Sequence, residues 1–263
     1  MHKAKKSLGQ NFLKSADALR KIILAGEIGP NDTILEIGPG KGALTEKILE
    51  NAEKVIAIEK DRDLLAFLRE KFSLEVQKGK LILEEGDILE LKTGNLPEKY
   101  KIIANIPYNI TGAILKMFLT SVNQPESMIL MVQNEVAKRI VASDGKESIL
   151  SISVKAYGVP KIVTKVPARY FSPAPKVDSA VISIKNISRD TFSKKKQENI
   201  DENRFWEVVK AGFAHKRKIL LKNLKNLDKK TNWEEIFQKL ELKNNTRAED
   251  LSLKDWIELS KGH

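Results

Sequence analysis

The chain has 263 residues, 41% of them hydrophobic, which is enough to bury a core in one large domain or in a domain of about 200 residues with a small appendage. The absence of cysteine excludes disulfides, thiolate metal sites, iron–sulfur clusters and a cysteine nucleophile. Its three histidines, at positions 2, 215 and 263, are too scattered to indicate a zinc site. We expect no resident metal, and only an all-carboxylate magnesium site stays open.

The sequence contains no apolar run that approaches the roughly 20 residues a membrane-spanning helix requires. Its first residues, MHKAKKSLGQNFL, begin with basic side chains, but no apolar stretch of signal-peptide length follows them. We therefore expect a soluble, cytoplasmic protein that does not bind membranes.

The net charge of +11 is concentrated in two short segments. Residues 1–24 hold six Lys or Arg and one Asp, residues 210–230 hold eight and one, and the rest of the chain carries 32 basic and 33 acidic residues. Such a distribution is typical of a surface that binds a polyanion, nucleic acid above all. The alternative is solubilising charge, because abundant Lys and Glu also suit a heat-adapted protein.

In chain order, the first half alternates short apolar runs with amphipathic stretches. Strands are predicted at residues 33–37, 54–58, 81–84, 101–104 and 127–133, and helices at 42–51, 61–72 and 111–122. The strands are rich in Ile, Leu and Val, which is typical of strands covered on both faces. Further strands are predicted at 151–157 and 180–184, separated by a long proline-containing loop. This alternation predicts an α/β fold with a Rossmann-like, doubly wound, mostly parallel sheet.

The sequence changes character after Lys185. Residues 186–203 are polar and predict a linker, and the chain beyond them is helical in pattern. Helices are predicted near 204–214, 216–227, 232–240 and 248–259, with Asp250 and Ser252 as candidate caps of the last one. We expect two domains, a catalytic domain at residues 1–188 and a small all-α domain at 189–263.

A glycine-rich turn, EIGPGKG at residues 36–42, directly follows the first long strand. Glycines let the backbone approach a ligand closely. The spacing G-x-G-x-G differs from the G-x-G-x-x-G of dinucleotide-binding proteins. Glu36 would repel a pyrophosphate but suits a cationic amino-acid group. The alternative is an ordinary tight turn between a strand and a helix.

The next three strands also end in polar residues. Glu59 follows the glycines by about 20 residues, where an acid can hold ribose hydroxyls. Asp87 in the sequence GDI is placed to accept from an adenine amino group, and NIPYN follows at residues 105–109. Each acid alone is more often a helix cap or a surface charge. Because open parallel sheets bind ligands at the carboxyl ends of their strands, the four features together predict a nucleoside site.

The tetrapeptide NIPY, residues 105–108, indicates the reaction class. It offers an Asn side-chain carbonyl, a backbone carbonyl before a rigid proline and an aromatic face. These are acceptors for an exocyclic amine and a platform on which its base can stack. The alternative is a proline turn with a packed tyrosine.

Eight motifs in order resemble those of the ribosomal RNA adenine N6-dimethyltransferases, specifically the small-subunit (16S) type. They are SLGQNFL (7–13), EIGPGKGALT (36–45), EKD (59–61), GDIL (86–89), NIPYNI (105–110), QNEVAKRI (133–140), FSPAPKVDSAV (171–181) and FAHKRKILLKNL (213–224). Two conservative departures occur, Ile106 where Leu is commoner and Thr111-Gly112 where Ser-Thr is usual. Neither puts the cofactor or the chemistry in doubt.

The resemblance implies the methyltransferase fold and S-adenosylmethionine as the methyl donor. The cofactor residues that it implies are Gln10, Asn11, Leu13, Gly38, Gly40, Glu59, Lys60, Asp87, Ile88 and Asn105. The residues that it implies for the target adenine and its methylation are Asn105, Ile106, Pro107, Tyr108 and Phe171, with the base stacked on Tyr108 and against Phe171.

The resemblance also implies a substrate, two adjacent adenosines in a hairpin loop near the 3′ end of 16S rRNA, each methylated twice, and a role in small-subunit biogenesis. The basic segments would then hold RNA phosphates. The candidate phosphate ligands are Lys3, Lys5, Lys6, Lys216, Arg217, Lys218 and Lys222. The alternative for the second segment is a solvated helix face. We expect the protein to act as a monomer on the small ribosomal subunit.

Three other functions stay open from the sequence. The related 23S rRNA methyltransferases of the antibiotic-resistance type share the cofactor motifs and the NIPY-type pocket, although FAHKRKILLKNL resembles the small-subunit type better. An RNA-binding assembly factor could use the same fold without methylation. A dehydrogenase is disfavoured by the glycine spacing and by the lack of a histidine near the pocket motifs.

Overall fold

The computed structural model describes residues 4–5, 8–193, 200–215 and 218–261. The strands are β1 (Phe12–Leu13), β2 (Thr33–Ile37), β3 (Lys54–Glu59), β4 (Leu81–Glu85), β5 (Lys101–Asn105), β6 (Ser127–Gln133), β7 (Val159–Val166), β8 (Phe171–Ser172) and β9 (Ser179–Lys185). The helices are α1 (Ala16–Gly26), α2 (Ala43–Leu49), α3 (Arg62–Lys71), α4 (Ser73–Gln77), α5 (Thr111–Leu119), α6 (Asn134–Val141), α7 (Ile149–Lys155), α8 (Glu202–Phe213), α9 (Leu220–Leu227), α10 (Trp233–Lys239) and α11 (Leu253–Ser260).

Seven strands form one sheet in the order β4-β3-β2-β5-β6-β9-β7. The first five strands in this order are parallel, and β9 runs antiparallel to both of its neighbours. The inner strands are buried along nearly their whole length, which explains their continuous Ile, Leu and Val content. The predicted doubly wound, mostly parallel sheet is confirmed.

The strand order reverses between β2 and β5, and this switch point is where such sheets bind ligands. In the parallel register Ile37 of β2 lies beside Ile58 of β3, and Asn105 of β5 lies beside Met131 of β6. The strand ends that carry the predicted site residues therefore meet at one edge of the sheet.

Two predictions of secondary structure are wrong. Residues 151–155 belong to helix α7 and 156–157 to the turn that follows it, rather than to a strand, and Ser148 and Ser151 cap the helix reciprocally. The predicted loop before residue 180 contains strand β7, which pairs with β9 at the edge of the sheet. Most residues of β7 are exposed or half-buried, so its sequence lacks the apolar run that marks the inner strands.

The chain divides into two compact units. The first comprises the described residues up to Ala137 together with Val159–Ile187, and it holds the sheet. The second comprises Lys138–Gly158 and the described residues from Ser188 onward, and it is helical. The sequence predicts a single domain boundary at residue 188. In the structure, residues 138–158 also belong to the second unit.

Helices α8, α9 and α11 pack together in the second unit around buried aromatic side chains. The rings of Phe213 and Trp256 stack with centroids 5.3 Å apart. A Cβ at Gly212 would lie 2.4 Å from the Trp256 ring, so only glycine permits this packing. Ser252 caps α11 as predicted, whereas α9 begins at Leu220, four residues later than expected. Within the described parts of the chain, no helix has the length and apolarity needed to cross a membrane.

Candidate active site

A cavity of about 550 Å³ lies at the carboxyl ends of the parallel strands of the first unit. Its walls come from residues 8–14, the glycine turn after β2, and the segments that follow β3, β4 and β5. The volume is in the range of small-molecule sites. Nearly all the residues predicted for the cofactor and the target base line this one cavity.

The glycine turn needs glycine at each of its three positions. Gly38, Gly40 and Gly42 have φ of +65°, +60° and +74°, a region that other residues rarely adopt. A Cβ at Gly42 would lie 2.5 Å from the Phe72 ring, so this glycine also allows close packing. A Cβ at Gly38 would meet no atom within 4 Å, which leaves the backbone there open to a ligand.

Glu36 forms part of the wall beneath the glycine turn and is 1% exposed. Its Oε2 atom is buried and has no hydrogen-bond partner among the described residues. Burial raises the pKa of the carboxyl to about 8, against the opposing effect of the nearby Thr45 hydroxyl; Glu59 adds to the rise and Lys71 opposes it. A buried acid without a partner is costly, so this oxygen is well placed to take a positively charged or hydrogen-donating ligand group.

Glu59, at the end of β3, is 6% exposed and is held in one orientation by the backbone. Its Oε1 accepts from the Asp61 amide at 2.9 Å and its Oε2 accepts from the Gly40 amide at 3.1 Å. Burial raises the pKa of Glu59, and these backbone hydrogen bonds partly oppose the rise. The carboxyl keeps further lone pairs for hydroxyl groups in the cavity.

Asp87 and Lys60 form an ion pair at the rim of the cavity, with 2.8 Å between Lys60 Nζ and Asp87 Oδ2. The other oxygen of Asp87 accepts from the Leu89 amide at 3.0 Å. The hydrogen bond from Lys60 lowers the pKa of Asp87, so this acid is ionised. Its neighbour Ile88 is buried against the same wall. The pocket acids, like the other described residues, form no group of three or more that could hold a metal ion.

The side-chain amide of Asn105 has a defined orientation. Its Nδ2 donates to the backbone carbonyl of Asn11 at 3.1 Å. Because the nitrogen is engaged there, the side-chain carbonyl oxygen remains available as an acceptor in the cavity. Ile106 and Pro107 follow along the same wall, with the Ile106 side chain buried in the core.

Tyr108 is fixed from two directions. Its hydroxyl lies 2.6 Å from Ser179 Oγ, and its backbone carbonyl accepts from Thr111 Oγ1 at 3.1 Å. Burial raises the pKa of the phenol, so the ring is neutral. Ser179 lies at the start of β9 and is fully buried. Sequence reasoning missed its role, although the residue stands inside the motif FSPAPKVDSAV.

Phe171, predicted to lie against the target base, does not line the cavity. It is 3% exposed, belongs to the hydrophobic core of the first unit, and is absent from the cavity wall. Its neighbour Ser172 lines the cavity instead. Successive residues of a strand point to opposite faces, and in β8 the polar residue takes the cavity side.

We call residues 8–13 the strap, because all six line the cavity. The strap contains the predicted residues Gln10, Asn11 and Leu13. It also contains Phe12, which sequence reasoning missed. The Phe12 ring packs against the glycine turn, and Lys41 Nζ lies 4.9 Å from its centroid. At its end the strap pairs as β1 with β8.

Lys5, predicted to bind RNA phosphate, is exposed but forms ion pairs within the chain. Its ammonium donates to Asp61 Oδ1 at 2.6 Å and to Asp63 Oδ2 at 2.8 Å. The Asp61 carboxylate is buried and requires a counter-charge, and Lys5 supplies it. Among the other predicted phosphate ligands, Lys218 and Lys222 are exposed. Lys3, Lys6, Lys216 and Arg217 lie outside the described residues.

Two solved structures share this architecture over nearly the whole chain. A dimethyladenosine transferase from Plasmodium falciparum is 26% identical with a TM-score of 0.77, and the match covers 94% of this chain and 95% of the other. The 23S rRNA methyltransferase ErmE gives a TM-score of 0.76 at 24% identity, covering 95% and 98% of the two chains. At this lower identity the likeness to ErmE concerns the fold alone.

Sequence comparison gives higher identities. Ribosomal RNA small subunit methyltransferase A of Fusobacterium nucleatum is 41% identical over 263 residues, which cover 98% of this chain and 97% of the relative. The protein of the same name from Thermosynechococcus vestitus is 40% identical over 99% of this chain and 97% of its own. The profile of the family described as ribosomal RNA adenine dimethylase matches residues 1–262. The chain belongs to the ribosomal RNA adenine dimethylase family.

Proposed function

We propose that the protein transfers methyl groups from S-adenosylmethionine to N6 of two adjacent adenosines in a hairpin loop near the 3′ end of 16S rRNA, and thereby contributes to small-subunit biogenesis. The observation that carries this proposal is the oriented Asn105 amide, which presents an acceptor oxygen to a cavity whose opposite wall contains buried acids. Relatives named for the small subunit, at 41% identity over almost the full length, support the choice of RNA.

The residues of the cavity fit the proposed methyl donor. Glu36 has a buried oxygen without a partner that suits the ammonium of the amino-acid part, and Gly38 leaves the backbone open beside it. Glu59 offers lone pairs to ribose hydroxyls, and Asp87 with Ile88 forms the wall proposed for the adenine. Gln10, Asn11, Leu13, Gly40 and Lys60 complete the proposed cofactor site. When bound, S-adenosylmethionine supplies a methyl group that its sulfonium already activates.

The chain's own residues then have to prepare and align the amine. An adenine N6 lone pair is delocalised into the ring and is a poor nucleophile. We propose that the Asn105 side-chain carbonyl and the Ile106 backbone carbonyl accept its N–H groups, which favours the pyramidal nitrogen, while Tyr108 holds the base by stacking. Alignment of this kind can supply roughly 7–11 kcal/mol of a barrier in favourable cases.

No strong base is required from the protein. The N6 proton becomes acidic only after the nitrogen has formed its new bond, and it can then leave to solvent. The described residues that line the cavity include no histidine, and the buried Tyr108 phenol is neutral. The proposed role of residues 105–108 is therefore to orient the neutral amine and its base.

The target base must leave its stack to reach the cavity, at a cost of a few kcal/mol unless it lies in a loop. We propose that the helical region at 189–263 and the basic N-terminal residues hold the surrounding phosphates. Lys218 and Lys222 are the described candidates. Lys216 and Arg217 precede them directly in sequence, and Lys3 and Lys6 belong to the N-terminal segment. We further propose that the protein acts as a monomer in the cytoplasm.

The test uses purified protein, radiolabelled S-adenosylmethionine and unmethylated small ribosomal subunits, with large-subunit RNA in parallel. Digestion of the RNA to nucleosides should yield N6,N6-dimethyladenosine from small subunits only. Label in large-subunit RNA would move the assignment to the 23S type. Cofactor binding without transfer to either RNA would point to a binding role in assembly and contradict the proposal.

A further inference from the structure

The end of the strap nearer the N-terminus is anchored to one buried carboxylate. Asp61 is 2% exposed and accepts from Lys5 Nζ at 2.6 Å through Oδ1 and from Gln10 Nε2 at 2.8 Å through Oδ2. Gln10 Oε1 in turn accepts from the Lys5 amide at 2.7 Å. Lys5, just before the strap, and Gln10, within it, are thus hydrogen-bonded to each other and to Asp61.

Asp61 is ionised in this arrangement. Burial alone would raise the pKa of the carboxyl, but the hydrogen bonds from Lys5 and Gln10 outweigh it and lower the pKa below its ordinary range. The same bond raises the pKa of Lys5. Hydrogen bonds to ionised groups are stronger than neutral ones, so Asp61 is a strong polar attachment point for the strap.

The anchor touches both halves of the cavity. The backbone amide of Asp61 donates to Glu59 Oε1 at 2.9 Å, which orients the acid proposed for the ribose. Six residues after Lys5, the Asn11 carbonyl of the strap accepts from Asn105 Nδ2 at 3.1 Å and so orients the amide proposed for the target amine. The pairing of β1 with β8 fixes the other end of the strap, so a strap released at Asp61 loses the restraint on the N-terminal side of the Asn11 carbonyl.

We propose that Asp61 is a positioning residue, whose carboxylate holds the strap closed through Lys5 and Gln10 and thereby aligns the cofactor wall with the Asn105 wall. This inference rests on the proposed function for its effect on methyl transfer, but the closed strap itself is independent of it. In this role Asp61 contacts neither the base nor the cofactor and acts through residues 10 and 11.

The test exchanges the two hydrogen-bonding groups. Asp61→Asn removes the charge but keeps the N-terminal cap of α3, because Asn caps helices as well as Asp does. Gln10→Glu places a second carboxylate against Asp61. The double variant Asp61→Asn/Gln10→Glu interchanges amide and carboxylate and restores complementary partners. Asp63→Asn is the matched control, since the Asp63 side chain is 68% exposed and, among the described residues, forms an ion pair with Lys5 alone.

Hydrogen exchange of the backbone amides of residues 8–13, without cofactor or RNA, is the first readout. Each single variant should speed this exchange about tenfold or more, because it breaks charge-assisted hydrogen bonds that hold the strap. The double variant should return it to within about threefold of the unmodified protein, which allows for imperfect geometry after the exchange. The second readout is the dissociation constant of S-adenosylmethionine, which should follow the same order.

Two results would overturn the inference. In one, Asp61→Asn changes neither strap exchange nor cofactor affinity. In the other, exchange rises throughout α3 and the sheet and the double variant does not reverse it, which would reduce Asp61 to a helix cap. If the unmodified protein transfers no methyl group to small-subunit RNA, the proposed function fails, whereas strap exchange still decides the role of Asp61.

Discussion

The two walls of the cavity lie at neighbouring strand ends but differ in charge. The wall formed after β2 and β3 carries Glu36 and Glu59, two buried acids whose pKa values are raised mainly by burial. The wall formed after β5 carries Asn105 and Tyr108, whose polar groups are neutral and bound to fixed partners. The carboxyl groups of the first wall can still accept hydrogen bonds, whereas the side chains of the second wall are fixed in orientation.

This difference matches the chemistry proposed for each side. A cationic ligand gains most from a buried acid with an unpaired oxygen, such as Glu36, since the acid recovers lost electrostatic stabilisation when the ligand binds. A neutral amine instead requires acceptors in fixed positions, because misplacement by about 1 Å can cost about 100-fold in rate. The acid wall should therefore control affinity and pH dependence, and the neutral wall should control the rate of transfer.

The largest expected effect is on the neutral wall. Asn105→Ala should lower the rate of methyl transfer at least about 100-fold, comparable to the loss of one preorganised hydrogen-bonding group elsewhere. Single-turnover transfer of labelled methyl groups to small subunits measures this rate. Asn95→Ala, on an exposed turn away from the cavity, is the control of the same residue type. A loss below about tenfold, no more than one ordinary hydrogen bond supplies, would contradict the role given to Asn105.

The next effect concerns the acid wall. Glu36→Gln should weaken S-adenosylmethionine binding about thirtyfold, because it replaces a carboxylate that can meet a cation with a neutral amide. Isothermal titration calorimetry measures the affinity. Glu50→Gln is the matched control, since the Glu50 side chain is 54% exposed and pairs only with Lys47 on the surface. Equal affinities of the two variants would exclude Glu36 from the cofactor site.

Glu36 also predicts the direction of a pH effect on stability. The pKa is about 8 in the folded chain and near its ordinary value of 4.5 in the unfolded chain. Between these values the folded protein binds a proton that the unfolded protein has released, so its stability without cofactor falls as pH rises and levels off above about pH 8. Glu36→Gln should remove this part of the slope and be the more stable protein by a few kcal/mol at about pH 9. Urea unfolding at several pH values gives the slopes, and parallel slopes would contradict the assignment.

The placement of the cavity residues at the strand ends was largely predictable from sequence. Buried parallel strands are short apolar runs, and the topology brings their carboxyl ends together, so Glu59, Asp87 and Asn105 could be placed at one edge without a structure. The lack of a hydrogen-bond partner for Glu36 Oε2 could not be predicted, because it depends on the exact positions of the donors around it.

What the sequence could not predict has a common physical origin, namely the choice of partner or face. The charge pattern places Lys5 at the surface, where it is, but does not reveal that it pairs with the buried Asp61, 56 positions away. Phe171 lies in a two-residue strand, too short for alternation to show which side faces the cavity. Residues 150–154 alternate apolar and polar residues as a strand does, yet the cap at Ser148 starts a helix there.

The smallest expected effect lies behind the neutral wall, at the hydroxyl pair of Tyr108 and Ser179. Tyr108→Phe keeps the stacking ring but removes its anchor, and Ser179→Ala removes the same hydrogen bond from the other side. Each should lower kcat/KM for RNA about fivefold, in line with the net value of one neutral hydrogen bond, with cofactor affinity unchanged.

The double variant decides whether the bond acts as a unit. If the hydroxyl pair only fixes the ring, Tyr108→Phe/Ser179→Ala should lose no more than either single variant, because the second change has nothing further to break. Steady-state kinetics with small subunits supplies all four values. Losses that multiply would show that the two hydroxyls act separately. The orientation of the neutral wall would then depend on the Asn105 contact with the strap rather than on β9.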